Sequence, residues 1–270
     1  MRVAIQGERG AFSHQAALAA LGQEIELVTA RDFDALFATL AAGSADRALV
    51  PVENTLTGSI HQNYDRLRDS PFHVVGEQRL RIEQCLIGLT GSSLEQLRRV
   101  RSHPVALGQC LGFFREHPGI EAVATADTAG AVREIVELGD PSEGALASRL
   151  AAPLHGAAVL STGVEDDPEN YTRFLLLGRD PAPREGADKT SLVVVLENVP
   201  GALYRAMGAF ALRGIDLTKL ESRPLRGRPW EYAFYLDARG DPDGEVAEAL
   251  EELRREAREV RVLGSYRERA

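Results

Sequence analysis

Through most of this chain, short apolar and β-branched runs alternate with segments whose apolar residues recur at helical spacing. RVAIQ predicts a strand, GERGAFS a glycine-bounded loop and HQAALAAL a helix. The unit repeats. EIELVTA predicts a strand, and DFDALFATLAAG a helix with Phe33, Leu36, Phe37 and Leu40 on one face and Asp32 as N-cap. RALVPVEN leads to a helix around IHQNYDRL, and EQCLIGL is a buried strand. HPVALGQCLGFFREH is one helix opened by proline, EAVATA a strand, and TAGAVREIVELG a helix closed by Gly139. Strands alternating with helices imply an α/β region with a mostly parallel sheet.

PAPREGAD, residues 181–188, has no apolar periodicity and reads as a linker. Beyond it the pattern changes to strand TSLVVVLE, helix PGALYRAMGAFALRG, strands IDLTKLESRP and EYAFYLD, helix EVAEALEELRREA and strand VRVLGSY. That order is the ferredoxin-like split βαββαβ arrangement. Its two helices cover one face of the sheet, so the other face is expected to be free, with a second copy as a natural cover.

The 270 residues carry a formal charge of −9 and are 44% hydrophobic, which is globular material with enough for a core. The acidic balance argues against nucleic acid or an anionic membrane as partner. No apolar run approaches the roughly 18 residues of a membrane span, and MRVAIQGERG lacks signal-peptide features, so a cytoplasmic protein is expected. Cys85 and Cys110 form no C-x-x-C pair, and neither a zinc site nor a disulfide is indicated.

In an open α/β sheet, ligands gather outside the carboxyl ends of the strands. GERGAFSH offers backbone N–H groups at a helix start but is not a dinucleotide fingerprint. PVENTLTG brings Glu53, Asn54 and Thr55 to a strand end, and SHPVALGQC brings Ser102 and Gln109 to a helix start, although helix capping would also account for these residues. His103 is not assigned as a base. Amides and hydroxyls dominate, suiting a reaction that needs orientation and neutral donors; no metal and no cofactor is expected. EDDPENYTRF, residues 165–174, carries a polar run into the apolar LLLG, and in a regular strand its Thr172 and Arg173 point to opposite faces. A bend or bulge at the strand entrance is expected to bring both into one cleft. Downstream, ENVPGAL opens a helix at Gly201, and Glu221 and Arg223 of ESRP suit an amino acid's ammonium and carboxylate.

Taken in order, GERGAFSH, VPVEN, SHPVALGQC, YTRF after EDDPEN, ENVPGAL and ESRP resemble prephenate dehydratase with a C-terminal ACT regulatory domain, over nearly the whole chain. The resemblance implies a two-lobed α/β catalytic domain (1–180) similar to periplasmic solute-binding proteins, the linker (181–188) and a ferredoxin-like ACT domain (189–270). It implies conversion of prephenate to phenylpyruvate, water and carbon dioxide. Thr172 is then the hydroxyl that assists departure of the ring hydroxyl, Arg173 the partner of a substrate carboxylate and Phe174 a packing wall. Asn54, Thr55, Ser102 and Gln109 fall in the family's cleft motifs, and Thr128 and Asn170 extend the set. Phenylalanine is the implied effector, bound between ACT domains of a homodimer, or of a tetramer, by Asn198, Gly201, Ala202, Leu203, Glu221, Ser222 and Arg223. Ala11 and Thr55 depart from the family pattern, which often has hydroxyl residues and serine there. An arogenate-preferring dehydratase and a non-catalytic amino-acid sensor are the alternatives.

Overall fold

The computed structural model describes residues 1–268. The chain begins β1 (Arg2–Gln6), α1 (Phe12–Leu21), β2 (Glu26–Ala30), α2 (Phe33–Ala41), β3 (Arg47–Asn54), β4 (Gly58–Ser59), α3 (His61–Asp69) and β5 (His73–Arg81). It continues through β6 (Cys85–Leu89), β7 (Arg99–Ser102), α4 (Pro104–Gly108), α5 (Leu111–Glu116), β8 (Glu121–Ala124), α6 (Thr128–Leu138), β9 (Glu143–Ala147), α7 (Ala151–His155), β10 (Ala157–Thr162) and β11 (Tyr171–Gly178). The last stretch is β12 (Lys189–Leu196), α8 (Ala202–Ala211), β13 (Leu217–Pro224), β14 (Tyr232–Arg239), α9 (Glu245–Glu256) and β15 (Ala257–Tyr266).

Three sheets result. The first runs β2-β1-β3-β11-β5 with β4 hydrogen-bonded to β3, the second β10-β6-β9-β7-β8, and the third β13-β14-β12-β15. In the first sheet β1 is parallel to both β2 and β3. The second is mixed, with β7 parallel to β8 and β9 but β6 antiparallel to β9 and β10. No helix separates β5 from β6, and the chain passes there directly from the first sheet to the second. Residues 163–170 return the chain from β10 of the second sheet to β11 of the first.

By contacts the chain divides into two compact units that do not follow the boundaries read from the sequence. One comprises Met1–Ser59 and Gln78–Phe174; the other joins Ile60–Glu77 to the chain from Leu175 onward. In the first unit, the core of the second sheet is small and aliphatic, with Ala129, Val132 and Ile135 of α6 packed on Cys85, Ile87 and Ala145, all fully buried. Asp32 caps α2 by accepting from the Ala35 N–H at 2.8 Å, and Gly139 closes α6 at φ +64°. The helix expected over HPVALGQCLGFFREH is two, broken at Gln109 and Cys110. The second helix has its own external cap: the Asp166 carboxylate accepts from Leu111 N at 3.0 Å and Gly112 N at 2.7 Å.

In the second unit, Leu192, Val194 and Leu196 of β12 and Leu236 of β14 pack under α8 and α9 with Ala206, Phe210, Ala249 and Leu253. The opposite face is not free, as the helix count alone suggests. All eight residues of β12 are buried. The chain's own segment Ile60–Glu77 meets that face: the Tyr64 and Tyr235 rings lie 4.9 Å apart, the Tyr235 hydroxyl donates to the Tyr64 carbonyl at 3.0 Å, and Arg261 donates to the carbonyls of Arg68 and Phe72. Lys189, 1% exposed, pairs with the fully buried Glu77 at 2.8 Å. Beside it, Ser191 donates to Asp237 at 2.5 Å and bonds the Tyr266 hydroxyl at 2.7 Å. A continuous apolar run such as SLVVVL marks a strand covered on both faces, and that signal points to this cover.

Candidate active site

At the C-terminal end of β3 and the N-terminal end of β11, three amides and a hydroxyl form one network. The Asn54 Oδ1 accepts from the backbone N–H groups of Leu56 and Thr57, both at 3.0 Å. Backbone N–H can only donate, so the Asn54 amide has one possible orientation and its NH₂ faces the other way. That NH₂ donates to Asn170 Oδ1 at 2.7 Å, to Thr172 Oγ1 at 3.0 Å and to the Tyr171 carbonyl at 3.1 Å. Asn170 is thereby oriented in turn, and its Nδ2 donates to Gln109 Oε1 at 3.0 Å. The order of donation runs from a backbone turn, through two amides, to Gln109 and Thr172.

Thr172 accepts in this network, and among the described residues its hydroxyl makes no other hydrogen bond. Its own O–H is left to donate to a ligand, and the bond it accepts polarises it for that role. Asn54, Asn170 and Thr172 are 7%, 0% and 9% exposed, so the network is held away from bulk water.

Thr55 serves the joint. Its hydroxyl donates to the Glu169 carbonyl at 2.8 Å and accepts from Tyr171 N at 2.9 Å, while its N–H donates to the Tyr171 carbonyl. Both capacities of the hydroxyl are used in joining β3 to β11. Arg173 is half-buried, and alternation along the strand Tyr171–Gly178 places it on the face opposite Thr172. Phe174, 2% exposed, packs in the core.

Ser102 is not brought into this network. It is fully buried, its hydroxyl donates to the Leu146 carbonyl at 2.7 Å, and the N-cap of α4 is His103, whose Nδ1 accepts from Val105 N. Thr128 is the first residue of α6, half-exposed, beside its N-cap Asp127. Three of the four acids of the polar run are engaged through their carboxylates. Glu165, its side chain 2% exposed, accepts from Arg81 and from Gln84 N; Asp166 caps α5; and Asp167 accepts from Glu169 N. Sequence reasoning missed Glu165 and Asp166 as supports of the loop, for their partners lie far away along the chain. Burial pushes the Cys85 thiol up to about 11 and the Cys110 thiol up to about 12, so neither is a nucleophile at neutral pH.

In the second unit, an open pocket of about 120 Å³ is lined by Leu196, Asn198, Ala202, Leu203, Trp230 and Phe234, among others. Gly201, at φ +81°, caps the adjoining helix α8. Glu221 and Arg223 do not line this pocket. Glu221 pairs with His61 at 3.0 Å, and Arg223 grips Asp65 with contacts of 2.8 and 3.4 Å. Ser222, between them, points away from the covered face and is exposed. Val199, Trp230 and Tyr232, which the motif reading passed over, also line the pocket.

An α/β scaffold presenting oriented, neutral hydrogen-bond donors defines a class of site that works by alignment and electrostatics. Comparison with known proteins gives the family. The pattern described as prephenate dehydratase matches residues 3–182. The chain is 43% identical to arogenate dehydratase/prephenate dehydratase 2, chloroplastic, of Arabidopsis thaliana, over 98% of this chain and 72% of that one. A prephenate dehydratase from Arthrobacter aurescens, solved in complex with L-Phe, superposes with a TM-score of 0.89 at 32% identity, covering 99% of this chain and 90% of that one. GqqA, described as a quorum quenching acylase, superposes with a TM-score of 0.92 at 35% identity, covering 100% and 98%. The chain belongs to the prephenate dehydratase family.

Proposed function

We propose that this chain converts prephenate to phenylpyruvate, and that L-phenylalanine inhibits it through a C-terminal ACT-type regulatory domain. The observation that carries the reading is the Thr172 hydroxyl, whose oxygen accepts from Asn54 in a buried network of amides and whose O–H is left over for a ligand.

In the reaction the ring carboxylate leaves as carbon dioxide, its bonding electrons close the aromatic ring, and the ring hydroxyl departs with its electron pair and gains one proton to become water. Aromatisation supplies the driving force, so no electron sink is needed. A threonine hydroxyl is far too weak an acid to be matched to neutral pH, so Thr172 acts chiefly as a donor aimed at the oxygen on which charge develops. Gln109 and Asn170 keep that donor in register. Arg173, on the other face of β11, has the fork geometry for a carboxylate but needs its own route to the substrate.

Family membership and the L-Phe complex of the Arthrobacter protein support the effector. The pocket lined by Asn198, Ala202, Leu203 and Trp230 is apolar with a polar rim and suits an aromatic amino acid. Its open side, with the lining residue Trp230 77% exposed, suits closure by a second copy in a homodimer. A second reading, preference for arogenate, is favoured by the names of the plant relatives.

The deciding experiment follows product formation from prephenate and from arogenate, each with and without L-phenylalanine. Faster turnover of prephenate that falls with the effector supports the first reading. Faster turnover of arogenate selects the second. No turnover of either leaves an amino-acid sensor, and unchanged rates at saturating L-phenylalanine remove the regulatory role.

A further inference from the structure

By contact the segment Ile60–Glu77 belongs with the four-stranded sheet, yet in sequence it continues directly from the Asn54 loop. That loop is tightly tied. Asn54 Oδ1 holds Leu56 and Thr57, and β4 pairs Glu53 with Ser59 and Asn54 with Gly58. Only Ile60 separates β4 from α3. Consecutive Cα atoms are about 3.8 Å apart, so this one-residue link leaves little slack between α3 and the loop.

What fixes α3 is the sheet. The helix has no side-chain N-cap of its own. His61 Nε2 meets Glu221 Oε1 at 3.0 Å, and Asp65 is held by Arg223 through Nη2 at 2.8 Å, with side chains only 12% and 21% exposed. Tyr64, between them, is clamped through its carbonyl by Tyr235 and lies 5.2 Å below the Lys219 ammonium. Lys219, Glu221 and Arg223 alternate along β13, so one face of that strand presents three charged groups to α3, and Arg261 of β15 adds a bond to the Arg68 carbonyl.

We propose that Arg223, Asp65 and the Glu221–His61 pair are positioning residues for the Asn54 loop, and not contacts of an effector. The sheet sets the order of the loop through α3, and a ligand in the Trp230 pocket that perturbs the sheet changes turnover by this route. The kinetic half of the inference rests on the dehydratase reading; the structural half does not.

The test uses the full chain as wild type, Asp65→Asn, Arg223→Gln, the double variant and the charge exchange Asp65→Arg with Arg223→Asp. The primary measurement is amide hydrogen exchange at Leu56 and Thr57, with β12 amides as the control for intact folding. Each single variant is expected to speed exchange in the loop roughly tenfold and leave β12 protected, the double to add nothing further, and the exchange to recover part of the protection. kcat falls in parallel while KM changes less. L-phenylalanine titrated against the fluorescence of Trp230, the only tryptophan, is expected to bind Arg223→Gln as tightly as wild type. Unchanged exchange at Leu56 and Thr57, additive losses in the double variant, or loss of L-phenylalanine binding in Arg223→Gln but not in Asp65→Asn would each overturn the proposal. Exchange needs no turnover, so failure of the dehydratase reading shows separately as a wild type that forms no product.

Discussion

Two polar networks sit at strand ends in this chain, and they are made of different groups. Around Thr172 every member is neutral: Asn54, Asn170, Gln109 and the hydroxyl itself. On the four-stranded sheet the members are charged, with Lys189 between Glu77 and Glu268, and Arg223 on Asp65. A neutral network holds its geometry across pH and needs little compensation for burial, whereas each buried charge must be matched or it becomes a large liability. The difference suggests a division of labour: the neutral set is shaped for a ligand, and the charged set holds chain segments together.

The sharpest way to break that contrast is at Lys189. Lys189→Met leaves the fully buried Glu77 without its cation and is expected to lower stability by about 3–5 kcal/mol, measured by urea denaturation. Adding Glu77→Leu should recover most of the loss, since two apolar groups of similar volume replace a buried pair with little penalty. Failure of the double variant to recover would mean that the charges do more than match one another. At the neutral network the expected effect lies in rate. Thr172→Ala should slow turnover of the substrate identified above by about 100- to 1,000-fold while leaving the urea midpoint nearly unchanged, and a variant of full activity would remove Thr172 from the chemistry.

The smallest effect is in acid. Burial raises the Glu268 carboxyl, but hydrogen bonds and charge from Lys189 and Arg239 outweigh it and hold the pKa at about 2, below the ordinary 4.5. A carboxylate depressed on folding contributes stability that is complete above its unfolded value and is lost as pH falls toward the folded one. Stability should therefore decline between about pH 4.5 and about pH 2, and Glu268→Gln should flatten that part of the profile. An unaltered slope would assign the acid sensitivity to other groups.

Much of this was legible in the sequence where the signal is local. Asp32 and Gly139 bound their helices as their residue types predict, and strands alternate with helices from β1 to β3 and from β7 to β10 apart from the paired helices α4 and α5. Asn54, Gln109, Asn170 and Thr172 were singled out by motif, and they meet in one network. What failed was long-range pairing. Arg223 looked available for a carboxylate because Asp65 lies 158 residues away, and Ser102 looked like a cap because its true acceptor, Leu146, is on a neighbouring strand. The break after Gly108 was hidden for the same reason, the cap of α5 being supplied by Asp166 from 55 residues downstream. Periodicity reports which face of an element is buried; it does not report by what.

Ile60–Glu77 also bears on how such a chain can be cut and recombined. A crossover within residues 181–188 looks harmless by sequence, for the stretch is polar and irregular. It would nevertheless separate the four-stranded sheet from the segment that covers its second face, exposing Lys189, Val193, Val195 and Tyr235 to water. The sheet is therefore a poor cassette when transplanted from that point alone. A donor fragment that folds independently would need Ile60–Glu77 supplied as well, as a separate peptide or by circular permutation, so the heritable module is discontinuous in the gene.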